Sequence, residues 1–155
     1  REAAPELVPP RPVRPGGDPP RSVAADREAL GAVVARTVIA ERAQVSPGTV
    51  AVICARSMAP ELEEALHAAG IEFGRATRHG LRQEVTVVPV DMVKGLELDA
   101  AVLVEPARML AEEPQPMRSL YVGLTRATKR LTIVHGRELP AVLAAVELLP
   151  TAPEG

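Results

Sequence analysis

Val85 to Val104 reads VTVVPVDMVKGLELDAAVLV, two apolar runs parted by one polar, glycine-bearing segment. VTVVPV is rich in β-branched residues and forms a buried strand, whose regular pairing Pro89 stops because it has no N–H to donate. AAVLV, Ala100 to Val104, is a second such run, ended by Glu105-Pro106. Neither run alternates with polar residues, as strands do when one face meets water. Both faces must therefore be covered, which is the condition of a parallel sheet between helices. The segment between them, Val93 to Asp99 or VKGLELD, reads as a loop at the carboxyl end of the first strand.

The rest of the chain continues the alternation. Upstream, VAVIC (Val50 to Cys54) is a third buried strand. A helical pattern from about Ala24 to Gln44 carries Leu30, Val33, Val34, Thr37 and Val38 on one face, and Ser46-Pro47-Gly48 ends it. A second helix begins near Pro60, with Leu62, Ala65, Leu66 and Ala69 as its stripe and Gly70 as its stop. Ile71 to Phe73 reads as a short strand and 75–83 as loop. Downstream, Arg108 to Glu113 is a short element, Met117 to Lys129 a helix, Leu131 to Val134 a strand, and Pro140 to Leu149 a last helix. The fold class is α/β, a mainly parallel sheet with helices on both faces. Residues 1–23, seven prolines among the first twenty, form an extended arm or linker. The alternative for Arg11 to Arg14 is an edge strand packed on the domain. Residues 24–149 are the domain and 150–155 a tail.

Composition narrows the function classes. The chain has 155 residues, 46% hydrophobic but only 1% aromatic, so its core is built from Val, Leu, Ile and Ala. A formal charge of -2 lacks the broad basic footprint of a stand-alone nucleic-acid binder. The single cysteine, Cys54, has no internal disulfide partner and reads as a small buried hydrophobe. His67, His79 and His135 are scattered through different elements, with no metal-ligand spacing. No apolar run approaches the roughly 18 residues of a membrane span. The expectation is a soluble, cytoplasmic protein with no membrane partner. The start at Arg1, without methionine, suggests a piece of something longer.

Two stretches carry chemistry. In VKGLELD, Gly95 lets backbone approach a ligand closely, and Glu97, flanked by Leu96 and Leu98, presents a pure acceptor suited to sugar hydroxyls. The second stretch is LYVGLTRATKRL, Leu120 to Leu131. On a helix from Met117, the residues Met117, Leu120, Tyr121, Leu124 and Ala127 make the buried stripe, with Arg118, Val122, Thr125, Arg126 and Lys129 opposite. Arg118 to Arg137 holds five Lys or Arg residues and no acidic one. Such a face is either solvated or an anion site, for which the planar fork of an arginine suits phosphate oxygens.

Together these stretches resemble motifs V and VI of UvrD/Rep-type superfamily-1 helicases. The match covers Val50 to Val134 if the strand–helix passage from Val50 to Ala69 is counted as a degraded motif IV region. VKGLELDAAVLVEP followed by LYVGLTRATKRLTIVHGRELP is nearest to the helicase-IV-like branch that includes the RNA polymerase-recycling factor HelD. The resemblance implies a RecA-like second motor domain. It implies that Glu97 binds ribose, that Lys94 and Gly95 lie against the nucleotide, and that Thr125 and Arg126 face it, with Arg126 as the arginine finger. The implied cofactor is ATP with Mg²⁺, held mainly by a P-loop motor domain of the same parent chain. The implied wider partners are RNA polymerase, or DNA through the parent.

Three departures accompany the likeness. Asp91 stands three residues before Lys94, where many family members have histidine, which removes a nucleic-acid contact. A second arginine finger from motif IV has no clean match: Arg56 is near but out of register, and the aligned residue is Pro60. No G-x-x-x-x-G-K-[ST] occurs in these 155 residues, so the isolated chain is expected to be inactive. The competing readings are a domain of a DNA-unwinding helicase, a non-catalytic interaction module with the same fold, and a free-standing α/β binding domain.

Overall fold

A computed structural model describes residues 21–46, 48–75, 84–93, 98–112, 114–115, 118, 127–136 and 149–151. Seven strands form one sheet: β1 (Arg21–Ala24), β2 (Val50–Cys54), β3 (Gly74–Arg75), β4 (Val85–Pro89), β5 (Leu98–Val104), β6 (Ala127–His135) and β7 (Leu149–Thr151). Their spatial order is β3-β4-β2-β5-β6-β1-β7, and every described pairing is parallel. Three helices are described: α1 (Leu30–Val45), α2 (Ala59–Ala68) and α3 (Pro106–Glu112).

Side-chain alternation divides β2, and β5 from Ala100 onward, between two cores. Val50, Val52 and Cys54 of β2, with Ala100, Val102 and Val104 of β5, face a core closed by Leu30, Val34 and Val38 of α1 and Leu62 and Leu66 of α2. The intervening Ala51 and Ile53, with Ala101 and Leu103, face a second core closed by Met109 of α3 together with Val90 and Val93. The α/β class with helices on both faces is thus what the structure has, and the unbroken apolar runs of β2 and β5 are its cause.

Helix α1 approaches α2 closely: a Cβ on Gly31 would lie 2.9 Å from the Cβ of Ala65. Helix α2 stops as its sequence indicates. Gly70 takes φ +75, its N–H donates to the His67 carbonyl, and the Ile71 N–H reaches back to Leu66. These are the bonds of a Schellman motif. They also displace the strand expected at Ile71 to Phe73, because the Ile71 amide is consumed by the helix cap. The ladder begins instead at Gly74.

Three further expectations are corrected. Arg21–Ala24, read as the end of an arm and the start of a helix, is a strand between β6 and β7, and α1 starts only at Leu30. Leu149–Thr151, read as a helix end and tail, is β7. The helix expected through Lys129 gives way by Ala127 to β6, which runs to His135. In all three cases short or polar segments are held extended by partners remote in sequence, so no local periodicity marks them. Most of the expected helices at 117–129 and 140–149 lies outside the described residues, as does Arg11 to Arg14.

Candidate functional site

Of the residues singled out as ligands, Lys94, Gly95, Glu97, Thr125 and Arg126 all lie outside the described residues, and so does Tyr121. Their described neighbours locate the chain on either side. VKGLELD is expected at a carboxyl strand end, and Val93 does follow the carboxyl end of β4 after a single 3-10 turn, Val90–Met92, while 94–97 lie outside the described residues. Leu98 and Asp99 instead open β5 at its amino end. Leu98 is the register partner of Ala127, the first residue of β6. In sequence Glu97 precedes Leu98 and Arg126 precedes Ala127. The described ends of the two stretches, Leu98 and Ala127, are therefore neighbours at the amino ends of adjacent strands.

That end of the sheet is densely tied. The Thr49 N–H donates to Asp99 Oδ2 at 2.8 Å, and its hydroxyl meets the same oxygen at 3.3 Å. Asp99 N–H returns a bond to Thr49 Oγ1, and Ala100 N–H donates to the Thr49 carbonyl. Gly48 is needed beside them: a Cβ there would stand 2.5 Å from the Val45 carbonyl oxygen and 2.6 Å from Asp99 Oδ2. One strand over, Arg130 of β6 forms a two-pronged ion pair with Glu41 of α1, Nε to Oε1 at 2.7 Å and a terminal nitrogen to Oε2 at 3.2 Å. The two side chains are only 12% and 5% exposed. Arg42 reaches Glu84, just before β4, at 2.7 Å.

The carboxyl end carries a second set of charges, more open to water. Arg56, in the 3-10 turn after β2, donates through two nitrogens to the two oxygens of Asp91, each at 3.0 Å. Beside them Glu112 of α3 accepts from the Ser57 hydroxyl at 2.5 Å and from Arg108 Nε at 2.9 Å. These bonds, the Ser57 hydroxyl first, hold the Glu112 carboxyl below its ordinary pKa. Glu105, at the end of β5, is buried with φ +50, and its carboxylate accepts the Gly136 N–H at 2.9 Å. Burial pushes the Cys54 thiol up to about 12, so at neutral pH it is an unreactive core residue. Phe73 packs on the larger core.

Residues 84–134 match the family model described as UvrD-like helicase C-terminal domain. The chain also superposes on the C-terminal domain of a possible DNA helicase from Lactobacillus plantarum WCFS1 with a TM-score of 0.71 at 27% identity, covering 89% of this chain and 87% of that one. The matched segment is similar to UvrD-like helicase C-terminal domains. More distant likenesses show the fold alone. A DEAD box protein from Methanococcus jannaschii gives a TM-score of 0.58 at 12% identity, over 90% of this chain and 42% of that one. The Sulfolobus solfataricus SWI2/SNF2 ATPase core, in complex with dsDNA, gives 0.57 at 14%, over 82% and 31%. The sheet is thus of the RecA-like helicase kind. No curated protein matches the sequence.

The matched span begins just before β4 and ends within β6, so it contains both chemistry-bearing stretches. The sequence reading missed the residues that tie those stretches down: Glu41, Thr49, Asp99 and Arg130. One signal was available. Glu41 continues the apolar stripe of α1, between Val38 and Val45, and a carboxylate on a buried stripe requires a partner. Among the described residues no three His, Cys, Asp or Glu side chains gather as a metal site, and no helix is long and apolar enough to cross a membrane.

Proposed function

We propose that this domain is the second motor domain of an ATP-driven UvrD-like helicase or translocase. It completes a nucleotide site whose phosphate loop belongs to another domain of the parent chain. The pairing of Leu98 with Ala127 supports the reading, because Glu97 and Arg126 are their immediate neighbours in sequence. Lys94 and Gly95 supply backbone and charge beside the nucleotide, Glu97 accepts from the ribose hydroxyls, and Thr125 and Arg126 face the phosphates. ATP with Mg²⁺ supplies the phosphoryl group, and Arg126 offsets the charge that develops on it. The domain alone turns over no ATP.

The test is made in the full-length parent. Arg126→Ala lowers ATP turnover by roughly a thousandfold with the fold intact, and an unchanged rate sinks the assignment. Glu97→Ala weakens nucleotide binding by about 1.5–3 kcal/mol.

The target we favour is a protein assembly, RNA polymerase in the HelD-like reading. Two observations support it: Arg56 is engaged by Asp91, and Phe73 is partly buried against the larger core, which reduces the ring face open to a base. The DNA-unwinding alternative draws on the Lactobacillus relative, described as a possible DNA helicase. Titration of labelled single-stranded DNA at near-physiological salt separates the two. Weak, salt-sensitive binding by this domain is expected; submicromolar binding lost on Phe73→Leu or Tyr121→Leu restores the DNA reading.

A further inference from the structure

The amino end of the sheet contains an irregularity at the place where the proposed site begins. Leu98 pairs with Ala127, but Ala100 pairs with Arg130, so two steps along β5 correspond to three along β6. An extra residue of this kind bends its strand and reverses the alternation of side chains across it. The facing of everything before the bulge therefore depends on how the bulge is pinned.

Both of its sides are pinned by one continuous stretch of chain, the last turn of α1 and the turn into β2. On the β5 side, Asp99 lies within the bulge and its carboxylate is held by the N–H and hydroxyl of Thr49. On the β6 side, Arg130 is the first residue past the bulge, and both oxygens of the buried Glu41 hold its guanidinium. The same stretch steadies the approach to β4, through Arg42 on Glu84 and the Val50 N–H on the Glu84 carbonyl at 2.7 Å. A guanidinium gripped through two nitrogens is fixed in rotation as well as position, which a lysine ammonium does not achieve.

We infer that Glu41 and Arg130 are positioning residues for the phosphoryl-transfer step: the Glu41–Thr49 connector holds the bulge in register, and with it Leu98 and Ala127, which follow Glu97 and Arg126 in sequence. This rests on the nucleotide-site reading above. It adds control from α1, through a residue 89 positions from Arg130 in the chain.

The experiment uses the full-length parent and measures ATP turnover, KM and melting temperature for three variants. Arg126→Ala is the control for the underlying reading. Arg130→Lys keeps the charge and the fold but loses the two-pronged grip. The pair Glu41→Leu with Arg130→Met replaces the ion pair by apolar side chains of similar volume, a change that often leaves stability unaltered. The expected result is a kcat at least tenfold lower for both, with KM for ATP within about twofold of the wild type. If Arg126→Ala abolishes turnover while Arg130→Lys keeps the wild-type kcat, the inference is wrong and the site assignment stands. If Arg126→Ala itself has no effect, the site assignment fails and this inference falls with it.

Discussion

The two ends of the sheet use the same chemical pair, an arginine gripped by a carboxylate, in opposite surroundings. At the amino end Arg130 and Glu41 are 12% and 5% exposed; at the carboxyl end Arg56 and Asp91 are 60% and 39% exposed. The bond lengths scarcely differ, so geometry alone does not rank them. Solvent does. Water screens the outer pair and hydrates either partner when the other is removed, whereas the inner pair, once broken, leaves a charge with little water to receive it. The buried end ties strand starts together; the exposed end keeps its charges in contact with water.

The sharpest way to break this contrast is to remove one carboxylate from each end. Glu41→Ala leaves Arg130 half-satisfied in the interior and costs about 3–5 kcal/mol of stability by denaturant titration. Asp91→Ala costs no more than about 1 kcal/mol. Equal losses would mean that burial is not what separates the ends.

Gly48→Ala probes the amino end without touching a charge. The new methyl meets the Val45 carbonyl oxygen, which is backbone and yields little, and the Asp99 carboxylate. A loss of about 1–3 kcal/mol is expected. Asp99→Ala together with Gly48→Ala should recover part of it, and no recovery would place the whole strain on the Val45 contact.

The carboxyl end gives the smaller effects. Asp91→Asn frees the Arg56 fork, and single-stranded DNA binding by the domain should tighten several-fold at low salt, with a steeper salt dependence. Unchanged binding would show that Arg56 is not turned toward a partner. Smallest of all is the titration of Glu112. Its folded pKa is depressed, so its contribution to stability is full above the unfolded value and fades as pH falls through the folded one. Ser57→Ala should move that carboxyl upward, as followed by NMR titration, with almost no change in melting temperature.

Much of the fold was legible because its cause is local. VAVIC, VTVVPV and AAVLV are buried on both faces, and an unbroken apolar run records that directly. The stripe from Leu30 to Val38 and the Pro60-to-Gly70 helix are equally explicit, since periodicity and capping act within a few residues. The likeness to UvrD-like domains was readable for the same reason, being carried by two short stretches. The charge on Glu41 was legible as an anomaly, but its partner was not, because Arg130 lies 89 residues away.

What tertiary structure alone decided is everything that depends on which strands become neighbours. Nothing in RSVA marks a strand between β6 and β7, since its ladder comes wholly from segments more than a hundred residues downstream. The start of β6 at Ala127 follows from pairing with Leu98, against a sequence that reads as helix. A parallel ladder joins residues distant in the chain, and its hydrogen bonds are made by backbone groups common to nearly every residue type. Sequence specifies which side chains seek the interior, but the register that brings Leu98 beside Ala127 is set only when the sheet closes.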